Sequence, residues 1–220
     1  MKIIGVSGSS GSGKSTVAKR LASILPDADL IDVDVFMRKV TVDKESEILK
    51  IMGIKYTEGE YSHNYYVNEY YFRSFKDVEI WFNTIKKSVN DMIEEALKKS
   101  VDKEYVIVDW LYLPVCDFYK KCNYTLFVKT DKEITENRLA ERLKNKSMYK
   151  KNSDGTYSTY KAWAIENRVK YTSLDKFGYK SQYQITNDGD FNSLYKKVDE
   201  FAGCLTGKSN IANIKFFEFK

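Results

Sequence analysis

The chain has 220 residues, of which 43% are hydrophobic and 30% are charged, with a formal net charge of +5 at pH 7. This balance is typical of one globular domain and argues against a disordered, fibrous or repetitive chain. Charges of both signs are scattered along the sequence, so the positive balance alone does not indicate a nucleic-acid partner.

No run of eighteen apolar residues occurs, and the N-terminal residues lead into a strand pattern rather than a signal-peptide pattern. The three cysteines, Cys116, Cys122 and Cys204, lack the paired spacing of zinc sites. We therefore expect a cytoplasmic protein with reduced thiols and no membrane partner. The oligomeric state is left open.

Short apolar runs rich in β-branched and aromatic residues predict five strands. In chain order they lie at residues 2–7, 28–33, 105–110, 124–129 and 183–187. Between them, apolar residues recur at helical spacing. The predicted helices lie at residues 16–25, 43–52, 77–100, 131–143, 162–174 and 190–203. Because strands and helices alternate, we expect an α/β protein whose parallel sheet is covered by helices on both faces.

The first strand is followed by the segment GSSGSGKST, in which Gly8, Gly13, Lys14 and Ser15 match the pattern GxxxxGK[ST] at every fixed position. In such a loop the main-chain amides bind phosphate oxygens, and the start of the next helix adds a favourable dipole. We expect Lys14 to reach the β- and γ-phosphates of ATP and Ser15 to ligate magnesium. The alternative is a serine- and glycine-rich linker that matches by chance. The predicted ATP-binding residues here are Gly8, Ser9, Gly11, Ser12, Gly13, Lys14, Ser15 and Thr16.

Aspartates at the ends of two later strands are candidates for the acidic groups of a phosphotransferase. Asp34 lies just past the second strand and is the preferred general base, while Asp32 would share its face in an extended segment. Either residue is a candidate for the base, and the competing interpretation makes one or both of them caps or turn residues. Asp109 ends the third strand, where it would hold magnesium through water or cap a helix. Asp32 and Asp109 are also predicted to contact the substrates.

Arginines flank a polar, basic stretch that Gly155 interrupts and that we interpret as a lid. Arg138 and Arg142 are four residues apart on one helix, so both are candidates to stabilise the charge on the transferred phosphoryl group. Arg168, beyond the stretch, is a candidate to complete this group and contact substrate. The alternative is surface pairing with nearby glutamates.

Seven segments, in the same order, resemble the dephospho-coenzyme A kinase family, within the wider group of P-loop nucleoside and nucleotide kinases. They lie at residues 3–22, 30–40, 81–89, 106–114, 119–128, 134–143 and 185–201. The resemblance implies that Asp34 is the base, that Arg138 and Arg142 are the family's arginine pair, and that Asn187 and Gly189 hold the adenine of ATP. It also implies ATP, magnesium and a small-molecule acceptor, dephospho-CoA.

The fold expected on these grounds is a three-layer, doubly wound P-loop kinase with a mostly parallel five-stranded sheet and a helical lid. We expect one domain over residues 1–205, with an acceptor-side helical insertion at about 53–100 and the lid at about 138–170. Residues 206–220 would form a tail, in which 213–219 is a weak candidate for an edge strand.

The expected activity is ATP-dependent phosphorylation of the ribose 3′-hydroxyl of dephospho-CoA. A nucleoside or nucleotide kinase is the alternative, because uridine-kinase-like enzymes share a similar glycine loop and an Asp-x-Phe sequence such as the one from Asp34 to Phe36. Lys87 and Ser88 also replace the His-Pro pair of the dephospho-CoA kinase family. A second alternative is a nucleotide-sensing regulator without kinase activity.

Overall fold

A computed structural model of the chain describes residues 1–54, 72–144, 167, 170, 172–173, 175–208 and 215–216. Within these residues, six strands form one sheet in the order β2-β3-β1-β4-β5-β6. The first five strands in this order run parallel to one another, and β6 pairs antiparallel with β5. The strands are β1 Lys2–Ser7, β2 Ala28–Asp32, β3 Tyr105–Asp109, β4 Tyr124–Lys129, β5 Tyr183–Thr186 and β6 Lys215–Phe216.

The strands form where the apolar runs predicted them, because a parallel strand covered on both faces must be apolar along its whole length. Every residue of β3 is buried, and β1 is buried from its second residue onward. The predicted five-stranded parallel sheet is therefore confirmed. β6 is a two-residue addition at the edge, within the segment where a weak edge strand was expected.

Helices pack on both faces of the sheet. Their bounds are α1 Lys14–Ile24, α2 Val33–Asp43, α3 Glu45–Ile51, α4 Phe75–Lys99, α5 Lys132–Lys144 and α6 Phe191–Leu205. Two short 3₁₀ turns, Leu113–Val115 and Asp117–Lys121, supply the helical crossover between β3 and β4, and a third spans Asp175–Lys180. None of the helices in the described ranges combines the length and the apolar character needed to cross a bilayer.

Helix α2 corrects the prediction for the chain after β2. The sequence predicts an extended segment as far as Asp34 and a helix only from about 43, but the helix begins at Val33. Asp32 is its N-cap: the side-chain oxygen accepts a hydrogen bond from the main-chain N–H of Asp34 at 3.1 Å. Val33 and Val40 then turn inward and are buried. Tertiary packing thus overrides the alternating, β-branched pattern of this segment.

Two apolar cores lie on opposite sides of the sheet. The core under α1 and α6 joins Leu21 and Phe201 to inward-facing residues of β1 and β4. The other core, under α2, α3 and α4, contains an aromatic cluster of Phe72, Trp81, Phe82, Trp110 and Tyr112. This is the three-layer arrangement that the sequence predicted. Of the predicted helix over 162–174, positions 167, 170 and 172 are described as helical and position 173 is not helical. Most of the predicted lid lies outside the described residues.

Candidate active site

The glycine loop occupies residues 8–13, between the end of β1 and the start of α1. Gly8, Gly11 and Gly13 have φ angles of 155°, 86° and 92°, a region that side chains rarely permit. A Cβ at Gly8 would lie 2.5 Å from the carbonyl oxygen of Val128, which is closer than a carbon atom can approach it. The backbone therefore favours glycine at the motif's two fixed glycine positions, 8 and 13, and also at position 11.

The loop is held from behind by two side chains that arrive from distant parts of the chain. The carbonyl oxygen of Ser12 accepts hydrogen bonds from Asn187 Nδ2 at 2.7 Å and from Thr130 Oγ1 at 3.0 Å. Asn187 and Thr130 are both buried, so these bonds are shielded from water. The structure thus brings Asn187, predicted from the resemblance to be near the adenine, against the glycine loop itself.

Helix α1 starts at the end of this loop with its first amide groups available to an anion. Its N-cap is Gly13, which has no side chain to cap the helix, and its first turn contains no acidic residue. The first amides of a helix have no partner within the helix, and they carry the positive end of its dipole. Loop and helix together form a phosphate-binding geometry of the kind that the motif predicted.

Lys14 lies between the glycine loop and the acidic residues at the ends of β2 and β3. Its Nζ is 3.9 Å from Asp34 Oδ2, and its side chain is only 12% exposed. The side chain of Asp34, in the first turn of α2, is 36% exposed. The structure therefore brings the predicted base beside the predicted phosphate-binding lysine, although Asp34 lies on a helix rather than in the extended segment expected.

Asp32 and Asp109 are neighbours across the sheet, because the register pairs these two residues of β2 and β3. Asp109 is 3% exposed, and its Oδ1 has no hydrogen-bond partner among the described residues. Burial raises the pKa of Asp109, while the Lys14 ammonium and a hydrogen bond with Ser15 counteract the rise. The capping role considered for Asp109 is not what is observed, since the 3₁₀ turn that follows is preceded by Tyr112.

The unpartnered oxygen of Asp109 bears on the predicted magnesium site. A buried carboxylate oxygen without a hydrogen bond is costly, and a cation or its water ligand would satisfy it. Magnesium in phosphotransferases usually takes one or two protein ligands and completes its shell with phosphate oxygens and water. This fits Ser15 and Asp109 as the protein ligands.

Of the three predicted arginines, the described side chains include one. Arg138, on α5, places Nη1 3.4 Å from the carbonyl oxygen of Gly11 and 3.5 Å from that of Asn187. Glu136, one of the glutamates considered as a surface partner, has its carboxylate 3.8 Å from Lys132. Arg142 lies one turn further along α5 with its side chain outside the described part, and Arg168 is also outside it.

A pocket of about 360 Å³ opens beside the glycine loop. Its volume is within the range of roughly 300–1,000 Å³ that is typical of small-molecule sites. The pocket is lined by Gly11, Gly13, Thr16, Arg138, Asn187, Gly189, Asp190 and Phe191. Six of these eight residues are predicted ATP-binding or catalytic residues, so the pocket connects the loop with the segment after β5.

Thr130, Asp190 and Phe191 are not among the site residues predicted from the sequence. Thr130 directly follows β4, so its position at the carboxyl end of a central strand was an available signal. Asp190 caps α6 by accepting from the N–H of Ser193 at 2.8 Å, and an Asp just before a predicted helix is a recognisable cap. No local signal marked Phe191.

The parallel sheet, the glycine loop between its first strand and first helix, and the lysine beside a carboxylate define the P-loop kinase class. The fold resembles that of TT1252 from Thermus thermophilus, with 20% identity over 95% of this chain and 98% of that chain and a TM-score of 0.62. Shikimate kinase from Bacteroides thetaiotaomicron has 17% identity over 93% and 98% of the two chains and a TM-score of 0.51. Dephospho-CoA kinase from Campylobacter jejuni has 14% identity over 94% and 97%, also with a TM-score of 0.51.

These similarities concern the fold alone. A family model, described as dephospho-CoA kinase, matches residues 2–152, which is more than half of the chain. The chain therefore belongs to the dephospho-CoA kinase family, and the resemblance stated from its sequence is confirmed. No curated protein sequence matches it significantly.

Proposed function

We propose that this P-loop kinase transfers the γ-phosphoryl group of ATP to the ribose 3′-hydroxyl of dephospho-CoA. The observation that carries the proposal is the position of Lys14, between the glycine loop and the carboxylate of Asp34. This contact supports the proposal, because a cation suited to bind the phosphates lies beside a carboxylate suited to take the proton of the acceptor. Membership of the family supports the choice of acceptor.

In the proposed reaction, the 3′-hydroxyl oxygen attacks the γ-phosphorus, and the bond to the oxygen bridging the β- and γ-phosphates breaks. ADP leaves with that oxygen, and the hydroxyl proton passes to Asp34. Lys14 and the amides of the glycine loop stabilise the negative charge that moves from the γ- to the β-phosphate oxygens. Arg138 and Arg142 remain candidates to add to this stabilisation.

The surroundings of the three aspartates favour Asp34 as the base. Asp34 is partly exposed and thus accessible to an acceptor hydroxyl, whereas Asp109 is buried. The carboxylate of Asp32 caps α2 by accepting a hydrogen bond from the main chain, so we assign it a positioning role in addition to possible substrate contact. The proposed base thus rests on exposure and on existing hydrogen bonds.

Magnesium would be held by the Ser15 hydroxyl and, directly or through water, by Asp109. When bound, it neutralises charge on the phosphate oxygens and fixes their orientation. Asn187 and Gly189 would bind the adenosine end of ATP from the pocket beside the loop, and Arg168 would contact substrate.

We further propose one domain over residues 1–205, with an acceptor-side insertion at about 53–100, a lid at about 138–170 and a tail at 206–220. A cytoplasmic location, where thiols stay reduced, is part of the proposal and agrees with the three cysteines being free.

A nucleoside acceptor is the second candidate. Phe36, two residues after Asp34, packs against the core that contains the aromatic cluster, and such rings suit the planar base of a nucleoside. Dephospho-CoA also carries a nucleoside, so this observation fits both acceptors. A nucleotide-sensing regulator is a further alternative, distinguished by ATP binding without transfer.

The test is an acceptor screen with purified protein, ATP and magnesium, in which ADP release is measured with dephospho-CoA and with a panel of nucleosides. We expect turnover with dephospho-CoA. Asp34→Asn should lower kcat by about 10²- to 10⁴-fold, the usual contribution of a general base, with little change in ATP affinity.

Asp32→Asn is the matched control, since the amide oxygen can still cap α2 and most of the turnover should remain. Turnover with nucleosides alone would overturn the dephospho-CoA assignment. If Asp34→Asn is active and Asp32→Asn is inactive, Asp32 is the base and Asp34 is not. ATP binding without transfer to any acceptor would favour the nucleotide-sensing regulator.

A further inference from the structure

Phe191 exposes an apolar ring at the wall of the pocket beside the glycine loop. It is the first residue of α6, directly after the N-cap Asp190, and it is 67% exposed. Single exposed apolar residues are common on protein surfaces and need no function. This one differs in position, because it lines the same pocket as Gly11, Gly13 and Asn187.

The ring of Phe191 is supported by neighbouring side chains. Tyr195, one turn further along α6, has its ring centroid 6.2 Å away, with 39° between the ring planes. The guanidinium of Arg20, on α1, lies 5.1 Å from the centre of the Tyr195 ring. Arg20 is itself fixed by two hydrogen bonds to Asp199, at 2.9 and 2.8 Å. A row of contacts across α1 and α6 thus ends at Phe191.

The position of a bound nucleotide follows from what lines the pocket. The phosphates belong at the glycine loop and at the start of α1, where the amides are. The same pocket is also lined by Gly189, Asp190 and Phe191, so these residues are available to the base. An aromatic face there would be covered by the base, which removes its apolar surface from water.

We propose that the ring of Phe191 is the surface on which the base of the donor nucleotide stacks, and that Tyr195 holds this ring in position. The inference deepens the proposed function and rests on its nucleotide site. Phe191 lies in the segment 185–201 that carries the family resemblance, but the resemblance itself names only Asn187 and Gly189 as adenine-binding residues there.

The test compares two ligands, ATP and inorganic tripolyphosphate, because only ATP has a base. Phe191→Ala should weaken ATP binding about tenfold, as expected for the loss of one stacking contact, and leave tripolyphosphate binding unchanged. Phe191→Trp should restore ATP binding. Tyr195→Ala should weaken ATP binding by a smaller factor, about threefold, again without an effect on tripolyphosphate.

Phe75 offers a matched control. It is likewise the first residue of its helix, α4, and is 51% exposed, but it belongs to the helical layer on the other face of the sheet. Phe75→Ala should leave the affinity for both ligands unchanged. Dissociation constants can be measured by titration calorimetry, with circular dichroism to confirm that each variant is folded.

The inference is overturned if Phe191→Ala leaves ATP binding unchanged, or if it weakens ATP and tripolyphosphate binding equally, since the second result would indicate a distorted loop. Phosphoryl transfer is measured in parallel on the unaltered protein. Base-dependent binding through Phe191 without transfer to any acceptor would overturn the proposed function and leave this inference standing.

Discussion

The two helical layers of this protein contribute to the candidate site in different ways. The layer of α1 and α6 carries the glycine loop, where main-chain amides and a helix start form the phosphate site. The layer of α2, α3 and α4 contributes side chains, with Asp34 at the start of α2 and the aromatic cluster beneath it. The contribution of the first layer is thus a backbone geometry within nine consecutive residues. The contribution of the second layer is an assembly of side chains from residues distant in sequence.

This difference has a consequence for what each side tolerates. A loop defined by its φ angles depends on glycine at fixed positions, whatever the surroundings. An assembly of side chains depends on packing, and its stability changes gradually as rings of different size replace one another. We therefore expect substitutions in the first layer to affect nucleotide binding and substitutions in the second to affect stability.

The largest expected effect comes from the aromatic cluster. Trp81 is 2% exposed and contacts the rings of Phe72 and Tyr112, with centroid distances of 5.7 and 5.8 Å. Its Nε1 donates a hydrogen bond to Thr41 Oγ1 at 3.0 Å, which ties α4 to α2. Trp81→Ala should lower the free energy of unfolding by about 3–5 kcal/mol, measured by urea denaturation.

Trp81→Phe is the control, because it keeps a ring in the cluster and removes the hydrogen bond to Thr41. Its cost should be smaller, about 1–3 kcal/mol, because a ring still fills most of the site and the Thr41 hydroxyl keeps its hydrogen bond to the carbonyl oxygen of Met37. If the folded fraction of Trp81→Ala binds ATP normally, the two layers are energetically separate. A loss below about 1 kcal/mol would show that the cluster relaxes around the gap and would contradict the comparison.

The same difference explains what the sequence could predict of the fold. The five parallel strands and most helices follow from local apolar patterns, which short-range spacing reports directly. Helix α2 does not, since the alternation of aspartate and valine from Ile31 to Val35 is typical of a strand. What decides its conformation is the capping hydrogen bond of Asp32 and the burial of Val40 against α4, and neither is visible in a local pattern.

For the site, the glycine loop could be predicted in full because its function lies in consecutive residues. The bond from Asn187 to Ser12 joins residues 175 positions apart, so only the family resemblance pointed to Asn187. Phe191 lies in the resembling segment 185–201, but nothing singled it out there, since an aromatic residue at the start of a helix has no fixed meaning. The functional roles of all these residues, including those of Arg142 and Arg168, stay predictions.

A substitution of intermediate effect tests the loop. Gly13 has φ 92°, and a Cβ there would lie 2.4 Å from Asn187 Nδ2, which holds the loop. Gly13→Ala should weaken ATP binding by at least about tenfold, because left-handed backbone costs roughly 1–2 kcal/mol for a residue with a side chain. The double variant Gly13→Ala with Asn187→Ala should bind ATP no better than Gly13→Ala. Removing the Asn187 side chain relieves the clash but leaves the cost of the left-handed backbone at position 13.

Gly53 is the matched control, with φ 68° and, among the described residues, no atom within 4 Å of the added carbon. Gly53→Ala should lower stability by a similar amount and leave the dissociation constant for ATP unchanged. Equal effects of both alanines on ATP binding would show that the loop has no special role.

The smallest expected effect concerns Asp109, which lies where the two layers meet, and it is a dependence of stability on pH. Burial raises its folded pKa above the value of 3.8 that we take for the unfolded chain, while Lys14 and Ser15 partly oppose the rise. The folded state then binds more protons between these two pKa values, so this contribution to stability is complete below pH 3.8 and is lost as the pH rises through the folded pKa.

Asp109→Asn should remove this decline, whereas Asp117→Asn, at a side chain 97% exposed, should not. Unfolding by urea across the pH range measures the difference, and the magnesium concentration for half-maximal turnover should rise in Asp109→Asn. An unchanged pH profile would mean that the carboxylate is already satisfied, and its proposed place beside magnesium would lose its support.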